Sequence, residues 1–503
     1  MSHRLADLMS GYHLVNLLGT LDREITSIAC DSRRVERGGL FVAIPGTRQD
    51  GARYIPDAVR RGASAFITQA PPEDLLDLGV GINGCTQVHV EDARHALAWV
   101  SAQFYHHPSR ALCVVGITGT NGKTTLTYLL ESVFGQAGNS CGVIGSINYR
   151  YAGRSFPAPI TTPESLDINR MMAAMRDAGV THCFLEVSSH SLVQKRVREL
   201  NFAVAVFTNL TRDHLDYHGD LTHYREAKKK LFHECPVGQQ VINLDDPVGR
   251  ELVAETDRTT LTTGIEHRAD VRAEGLELSD QGVRFTLKTP FGSHPIRSSL
   301  LGRHNVYNLL SAAGVGLIRG LPLETVAAGL EALRGVPGRF EKVDAGQAFT
   351  VIVDYAHTDD ALFNALQAAK GFVRGRILTV FGCGGDRDPT KRGAMGRIAV
   401  EESDLTLITS DNPRTEDPLK IIEDIRAGLP SRSRESEDYL VIPDRREAIF
   451  RAIGLAQPGD LVLIAGKGHE DYQILGTETI HFDDRETARE ALEKHLERRK
   501  QNG

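Results

Sequence analysis

The strongest constraint on this chain is an alternation. Short apolar runs, each followed by a turn and then by an amphipathic stretch of helix length, begin at ALCVVGITG (residues 111–119) and return as CGVIGS, HCFLEVSSH, AVAVFTNL and QQVINLDD. Runs of this kind, joined by crossover helices, build a mostly parallel sheet covered on both faces. The alternation restarts at FTVIVDYAH (349–357) and continues through RILTVFGCGG, LTLITSDNP and DLVLIAGKG, which predicts a second, doubly wound unit. Between the two lies GVPGRFE, where Gly335, Pro337 and Gly338 mark a hinge. Ahead of both, shorter strand-like runs (LFVAIPG, AFITQ, TQVHV) and a helical DARHALAWVSAQFYHH closing before Pro108 suggest a smaller α/β unit. The expectation is an α/β protein of three domains, 1–107, 108–334 and 335–503, with a P-loop-type mostly parallel sheet in the second and a Rossmann-like third. The charged tail EALEKHLERRKQNG reads as a solvated terminal helix.

GITGTNGKTT (116–125) sits where the strand ALCVVGI hands over to the helix TLTYLLESVFGQAG. It departs from G-x-x-x-x-G-K-[ST], because the place of the first glycine, counted back from Gly122, is taken by Ile117. The setting still favours phosphate: free N–H groups and the helix dipole point at an anion there. Gly119 and Gly122 let the backbone approach it, Lys123 supplies charge and Thr124 offers a hydroxyl to Mg²⁺. Composition narrows the partners further. A net charge of -7 in 503 residues gives no overall basic field, so nucleic acid is not the expected partner. The N-terminus lacks the apolar core of a signal peptide, and no stretch approaches the ~20 apolar residues of a membrane span, so a cytoplasmic protein is expected. Seven scattered cysteines without a C-x-x-C pair read as reduced thiols.

The form GxTGTNGKT resembles the ATP loop of the Mur ligases, the amide-forming enzymes of peptidoglycan synthesis; folylpolyglutamate synthetases share a related loop. DSRRVERGGLFVAIPGTRQDG (31–51) looks like the UDP-sugar segment of the MurE branch, and TTPE, EVSSHSLVQKR, NLTRDHLDYHG, YREAK, GRHNVYN, PGRFE, DYAHT and GKGHE continue the match in order across all three units. The resemblance implies that a carboxylate attacks the γ-phosphate of ATP and that an amine displaces the resulting acyl phosphate. Such a reaction needs cations and donors fixed in advance.

By the same resemblance Gly119, Thr120, Asn121, Gly122, Lys123, Thr124 and Thr125 hold the phosphates. Thr124 and Glu186 would ligate one Mg²⁺, and His214 and a carbamylated Lys228 would stand beside a second. A carbamate turns a repelled ammonium into an oxygen ligand, and its formation needs the neutral amine. The neighbours Lys229 and Lys230 read as a solvated basic face. His304, Asn305, Asn308, Arg339, Asp354 and His357 match ATP positions; the family's usual DYAHTPDAL here carries Asp359 in place of proline, which removes no ligand. For the UDP-muramyl peptide, Ser32, Thr47, Arg48 and Gln49 match the nucleotide end and Thr161, Thr162, Ser188, Gln194 and Arg196 the sugar-peptide end.

The added amino acid is read from TSDNPRTEDP (409–418). Alone, DNPR is a proline turn with an arginine. It follows the strand LTLIT, however, where ligands gather at the C-terminal edge of such sheets, and it matches the motif of Mur ligases that add meso-diaminopimelate. That amino acid differs from lysine by a second carboxylate, which a guanidinium grips with two parallel hydrogen bonds. Asp411, Asn412, Pro413 and Arg414, with Arg387, Gly466 and Glu470, would form its pocket. The implied function is ATP- and Mg²⁺-dependent addition of meso-diaminopimelate to UDP-N-acetylmuramoyl-L-alanyl-D-glutamate by a monomer. A folylpolyglutamate synthetase fits the loop but leaves DSRRVERGGLFVAIPG unexplained, and a nucleotide-gated switch would hydrolyse ATP without either co-substrate.

Overall fold

In the computed structural model, residues 2–46, 49–70, 75 and 84–502 are described, and they form three main sheets. The first has five strands in the order Asn16–Leu18, Thr86–His89, Ala65–Thr68, Leu40–Ala43 and Ile28–Ala29, parallel except for the first. The second has eleven. Its parallel centre runs Cys141–Ile144, His182–Glu186, Cys113–Thr118, Phe202–Phe207, Val237–Asn243 and Thr259–Gly264. The third has six strands, with Thr350–Asp354, Leu461–Ala465, Ile377–Phe381, Leu405–Ile408 and Tyr439–Val441 in parallel order.

Strand periodicity explains how the middle sheet is covered. Val115, Ile117, Phe184, Val204 and Val206 point to one face and meet Leu126, Leu129, Leu130 and Val133 of the helix Lys123–Gln136. Val114, Cys183, Leu185, Ala205 and Phe207 point to the other, against Ile168, Met172, Leu231 and Phe232. Neighbouring residues thus serve opposite cores, and the apolar runs are continuous for that reason. The third sheet repeats the arrangement, with Ile352 and Leu463 facing one core and Val351 and Val462 the other.

The structure corrects two expectations and adds to two others. Both edges of the middle sheet carry strands that the sequence reading missed: the antiparallel hairpin Asn148–Tyr151 with Arg154–Pro157, and, beyond Thr259–Gly264, the parallel Val271–Ser279 followed by the antiparallel Gly282–Thr289 and Gly292–Ser298. The final helix, Asp484–Asn502, is not simply solvated, since Ala488, Ala491 and Leu492 are buried in the core beside Ala448, Ile449 and Ala452. Lys229 is not on a solvated face either; it is buried and its Nζ lies 2.7 Å from Glu255 and 3.4 Å from Glu251. In the expected hinge, Gly335 faces open space, but Gly338 is pinned: a Cβ there would stand 2.0 Å from the His469 nitrogen.

Candidate active site

The strand Cys113–Thr118 lies between parallel neighbours and delivers the loop 119–122 to the N-terminus of Lys123–Gln136. The two loop glycines are required by space as well as by conformation. A Cβ on Gly119 (φ 150°) would come 1.9 Å from Thr208 Oγ1, and one on Gly122 (φ 89°) 2.3 Å from Asn308 Oδ1. Lys123 Nζ donates to the carbonyls of Gly119 and Thr120, each at 2.8 Å, so its charge is held over the loop. Thr120 and Asn121 are tied to the next loop: Thr211 N donates to Thr120 Oγ1 at 3.0 Å and Asn121 N to Asn209 Oδ1 at 2.9 Å. Thr125 is buried in the first turn of the helix.

Thr124 and Glu186 come together as the sequence reading requires, the hydroxyl donating to Glu186 Oε2 at 3.1 Å. Ser146, which that reading missed, donates to the same carboxylate through its N–H (2.9 Å to Oε1) and its hydroxyl (3.0 Å to Oε2). Only the ending of the strand run CGVIGS signalled it. Gly145 completes this cradle, since a Cβ there would lie 2.3 Å from Glu186 Oε1. These are hard oxygen donors suited to Mg²⁺. Among the described residues no group of three or more His, Cys, Asp or Glu side chains could hold a metal. A cation here would therefore complete its shell from phosphate and water.

Lys228 is 1% exposed and donates to Gly119 O at 2.8 Å, the carbonyl that Lys123 also uses. Burial first, and then the Lys123 charge, push its pKa well below the ordinary lysine range. An amine so disposed is suited to carbamylation. His214 has a left-handed backbone (φ 53°), and its ring packs edge-on against His190, with centroids 4.9 Å apart. Burial lowers its pKa, Asp213 opposes this, and Lys123 and Lys228 lower it further.

Beside Gly122, Asn308 Nδ2 donates to Asn305 Oδ1 (3.0 Å) and Asn305 Nδ2 to Leu301 O (2.8 Å). The exposed His304 ring stands edge-on to Phe340, centroids 5.1 Å apart. Arg339 lies 4.6 Å over the Tyr355 ring with its Nε unpaired, and Asp354, its pKa raised by burial and eased down by Arg339, accepts from Phe340 N at 2.7 Å. His357 is exposed beside Tyr355.

A cavity of about 1150 Å³ separates the middle and last sheets. Thr161 and His214 line it from one side, and His357, Arg387, Asp411, Asn412, Arg414, Gly466 and Glu470 from the other. Arg414 again has a left-handed backbone (φ 52°), fixed by Arg414 N to Ile474 O (3.1 Å) and Gly476 N to Arg414 O (2.8 Å), and its Nη1 donates to Gly385 O at 2.8 Å. Pro413 is buried behind it, and Asp411 Oδ1 accepts from Asn412 N at 2.6 Å.

Other predicted residues, where described, stand outside this cavity wall. Thr162 Oγ1 donates to Glu186 O (2.7 Å) and to Ser188 Oγ (3.2 Å). Arg196 donates to Thr162 O and to Gln194 Oε1, each at 2.6 Å, and its Nε lies 3.1 Å from Glu164. Ser32 is buried at the start of a 3-10 turn in the first unit, and Gln49 accepts from the Tyr54 hydroxyl. Thr47 and Arg48 lie outside the described residues.

A strand-loop-helix turn of the kind that binds phosphate, in the same chain as a doubly wound unit whose cavity is lined by arginines and carboxylates, is the arrangement of a nucleotide-binding α/β protein. Family models match all three units: "Mur ligase family, catalytic domain" at 24–105, "Mur ligase middle domain" at 117–316 and "Mur ligase, glutamate ligase domain" at 338–468. Relatives named UDP-N-acetylmuramoyl-L-alanyl-D-glutamate--2,6-diaminopimelate ligase include those of Solibacter usitatus (48% identical, covering 93% of this chain and 94% of the relative) and Clostridioides difficile (43%, covering 98% and 100%). A solved structure with that name aligns at TM-score 0.71 and 32% identity over 99% of this chain and 100% of its own. A folylpolyglutamate synthase from Mycobacterium tuberculosis, at TM-score 0.56 and 20% identity over 74% of this chain and 92% of its own, shares the fold. The chain belongs to the Mur ligase family.

Proposed function

We propose that this protein is an ATP-dependent ligase that adds meso-diaminopimelate to UDP-N-acetylmuramoyl-L-alanyl-D-glutamate in peptidoglycan synthesis, acting as a cytoplasmic monomer. The observation that carries the reading is Arg414: a guanidinium on the wall of the cavity, its backbone locked on both sides and one amino group already engaged. Its other nitrogens suit a second carboxylate, the feature that separates diaminopimelate from lysine. Arg387, on the same wall, forms no hydrogen bond or ion pair among the described residues and is available to the first carboxylate.

The chain's own groups divide the work. Lys123 holds positive charge over the loop where the γ-phosphate leaves ATP for the substrate carboxylate, forming an acyl phosphate and ADP. The incoming amine then attacks the acyl carbon, inorganic phosphate departs, and an amide remains. Asn305, Asn308, His304, Arg339, Asp354 and His357 orient the nucleotide, and Ser32, Thr47, Arg48, Gln49, Thr161, Thr162, Ser188, Gln194 and Arg196 the UDP-muramyl peptide. Thr124, Glu186, His214 and carbamylated Lys228 would hold Mg²⁺, which supplies charge neutralisation to the phosphates.

The test is phosphate release by the full chain with ATP, the UDP-muramyl dipeptide and either amino acid. Release should require both co-substrates and favour diaminopimelate over L-lysine, on the order of 10⁴-fold, because lysine leaves a desolvated arginine unpaired. Arg414→Ala should collapse diaminopimelate use. Equal use of L-lysine by the unmodified protein overturns the assignment.

A further inference from the structure

Lys467 follows the strand Leu461–Ala465, between the cavity-lining Gly466 and Glu470, and is 0% exposed. No step of the proposed reaction uses it. A buried ammonium is costly unless its charge and its three donors are met. Here they are met: Nζ lies 2.5 Å from Tyr472 O, 3.2 Å from Glu470 Oε2 and 3.4 Å from Asn412 Oδ1. Asn412 closes the ring, donating Nδ2 to Glu470 Oε2 at 2.9 Å and accepting from Ile474 N at 3.0 Å. One cation thus joins the turn after a central strand, the DNPR loop and the strand Tyr472–Leu475.

We propose that Lys467 is a positioning residue for the incoming amino acid, fixing Glu470, with Asn412 holding the same carboxylate from the other side, so that Glu470 meets its ammonium end as a preset acceptor. The proposal rests on the reading of this cavity as the amino-acid pocket. Its electrostatics give a signature beyond packing. Burial raises the pKa of Glu470, Lys467 opposes this, and Asp411 adds to it. Arg445, Tyr355 and Tyr472 also sense Glu470. Without Lys467 the carboxylate takes up a proton at higher pH and stops serving as a charged acceptor.

The test is Lys467→Met in the full chain, followed by steady-state kinetics with diaminopimelate across pH. KM for the amino acid should rise by about tenfold or more, with kcat and the KM values for ATP and the UDP-muramyl dipeptide little changed. The KM penalty should grow as pH falls, and Lys467→Arg should recover part of it. If the methionine variant does not fold, Lys467→Gln takes its place beside Lys467→Arg. An unchanged KM, or a rise equal at every pH and shared by ATP, overturns the proposal. If the enzyme uses a different amino acid, the choice of diaminopimelate falls, and the role of Lys467 is read from KM for that amino acid instead.

Discussion

Two lysines that share one carbonyl oxygen hold the sharpest chemical tension in the site. Lys123 and Lys228 both donate to Gly119 O at 2.8 Å, and in each case burial is the largest influence lowering the pKa. The two are not equivalent. After burial the next influence on Lys123 is Glu186, which favours its charge, whereas for Lys228 it is the repulsion of Lys123; Asp213 favours the charge of both. Lys228 is therefore the one set up to give up its proton and accept CO₂. Lys228→Ala should lower kcat on the order of 100-fold or more, and acetate or another short carboxylate should restore part of it by occupying the vacated space. Lys228→Arg should stay inactive, since it restores charge of the wrong sign. ¹³C-bicarbonate NMR that finds an unmodified Lys228 in the active, Mg²⁺-loaded enzyme would sink the role.

At the scale of elements, what was legible was what is local. The phosphate loop could be read because strand, glycines, lysine and helix are consecutive, and the parallel runs because burial on both faces leaves them uniformly apolar. The hairpins at the sheet edges were missed for the converse reason: Arg154–Pro157 is exposed throughout and Val271–Ser279 only partly buried, so neither carries a clear apolar signal. Ser146 was missed because its contact with Glu186 depends on the pairing of strands 40 residues apart. The same holds for Asp245, which anchors the 265–267 turn to the helix Arg303–Ile318. It accepts from Ile265 N (2.7 Å), Glu266 N (2.9 Å), His267 N (2.8 Å) and the Tyr307 hydroxyl (2.9 Å). Burial alone would raise this carboxylate, but the backbone donors and the His267 ring hold it down to about 2. A depressed carboxylate stabilises the fold above its unfolded pKa, and that contribution is lost as pH falls from about 4 towards 2. Asp245→Asn should therefore cost about 2 kcal/mol at neutral pH, with the gap to the unmodified protein closing under acid. Urea unfolding at both pH values checks this, and equal neutral-pH midpoints would show that the charge is not what anchors the turn.

Over the whole molecule, the reaction requires the phosphate loop of the middle unit and the arginines of the last unit to meet across one cavity, and a short chain of contacts joins them. Thr120 Oγ1 accepts from Thr211 N at 3.0 Å, Thr211 Oγ1 donates to Asp360 Oδ2 at 2.8 Å, and Arg212 Nη2 lies 2.7 Å from Asp359 Oδ2. The helix Asp359–Lys370 thus begins with two carboxylates that reach back to the loop carrying His214. Asp359, where the family pattern has proline, contributes one of them. Arg212 is well exposed, so its pair with Asp359 is worth at most about 1 kcal/mol; the half-buried hydroxyl-carboxylate bond of Thr211 is the firmer link. A contact of this strength is too small to decide folding and large enough to shift a balance between open and closed arrangements by severalfold. Asp359→Ala combined with Asp360→Ala should leave the thermal midpoint within a few degrees of the unmodified protein's. KM should rise severalfold for ATP and the amino acid together, because each binds in full only when the two units face one another. Small-angle scattering with a non-hydrolysable ATP analogue, the UDP-muramyl dipeptide and diaminopimelate should show the unmodified chain compacting and the variant compacting less. If the variant compacts to the same radius and keeps both KM values, the Thr211–Asp360 and Arg212–Asp359 contacts play no part in closing the site.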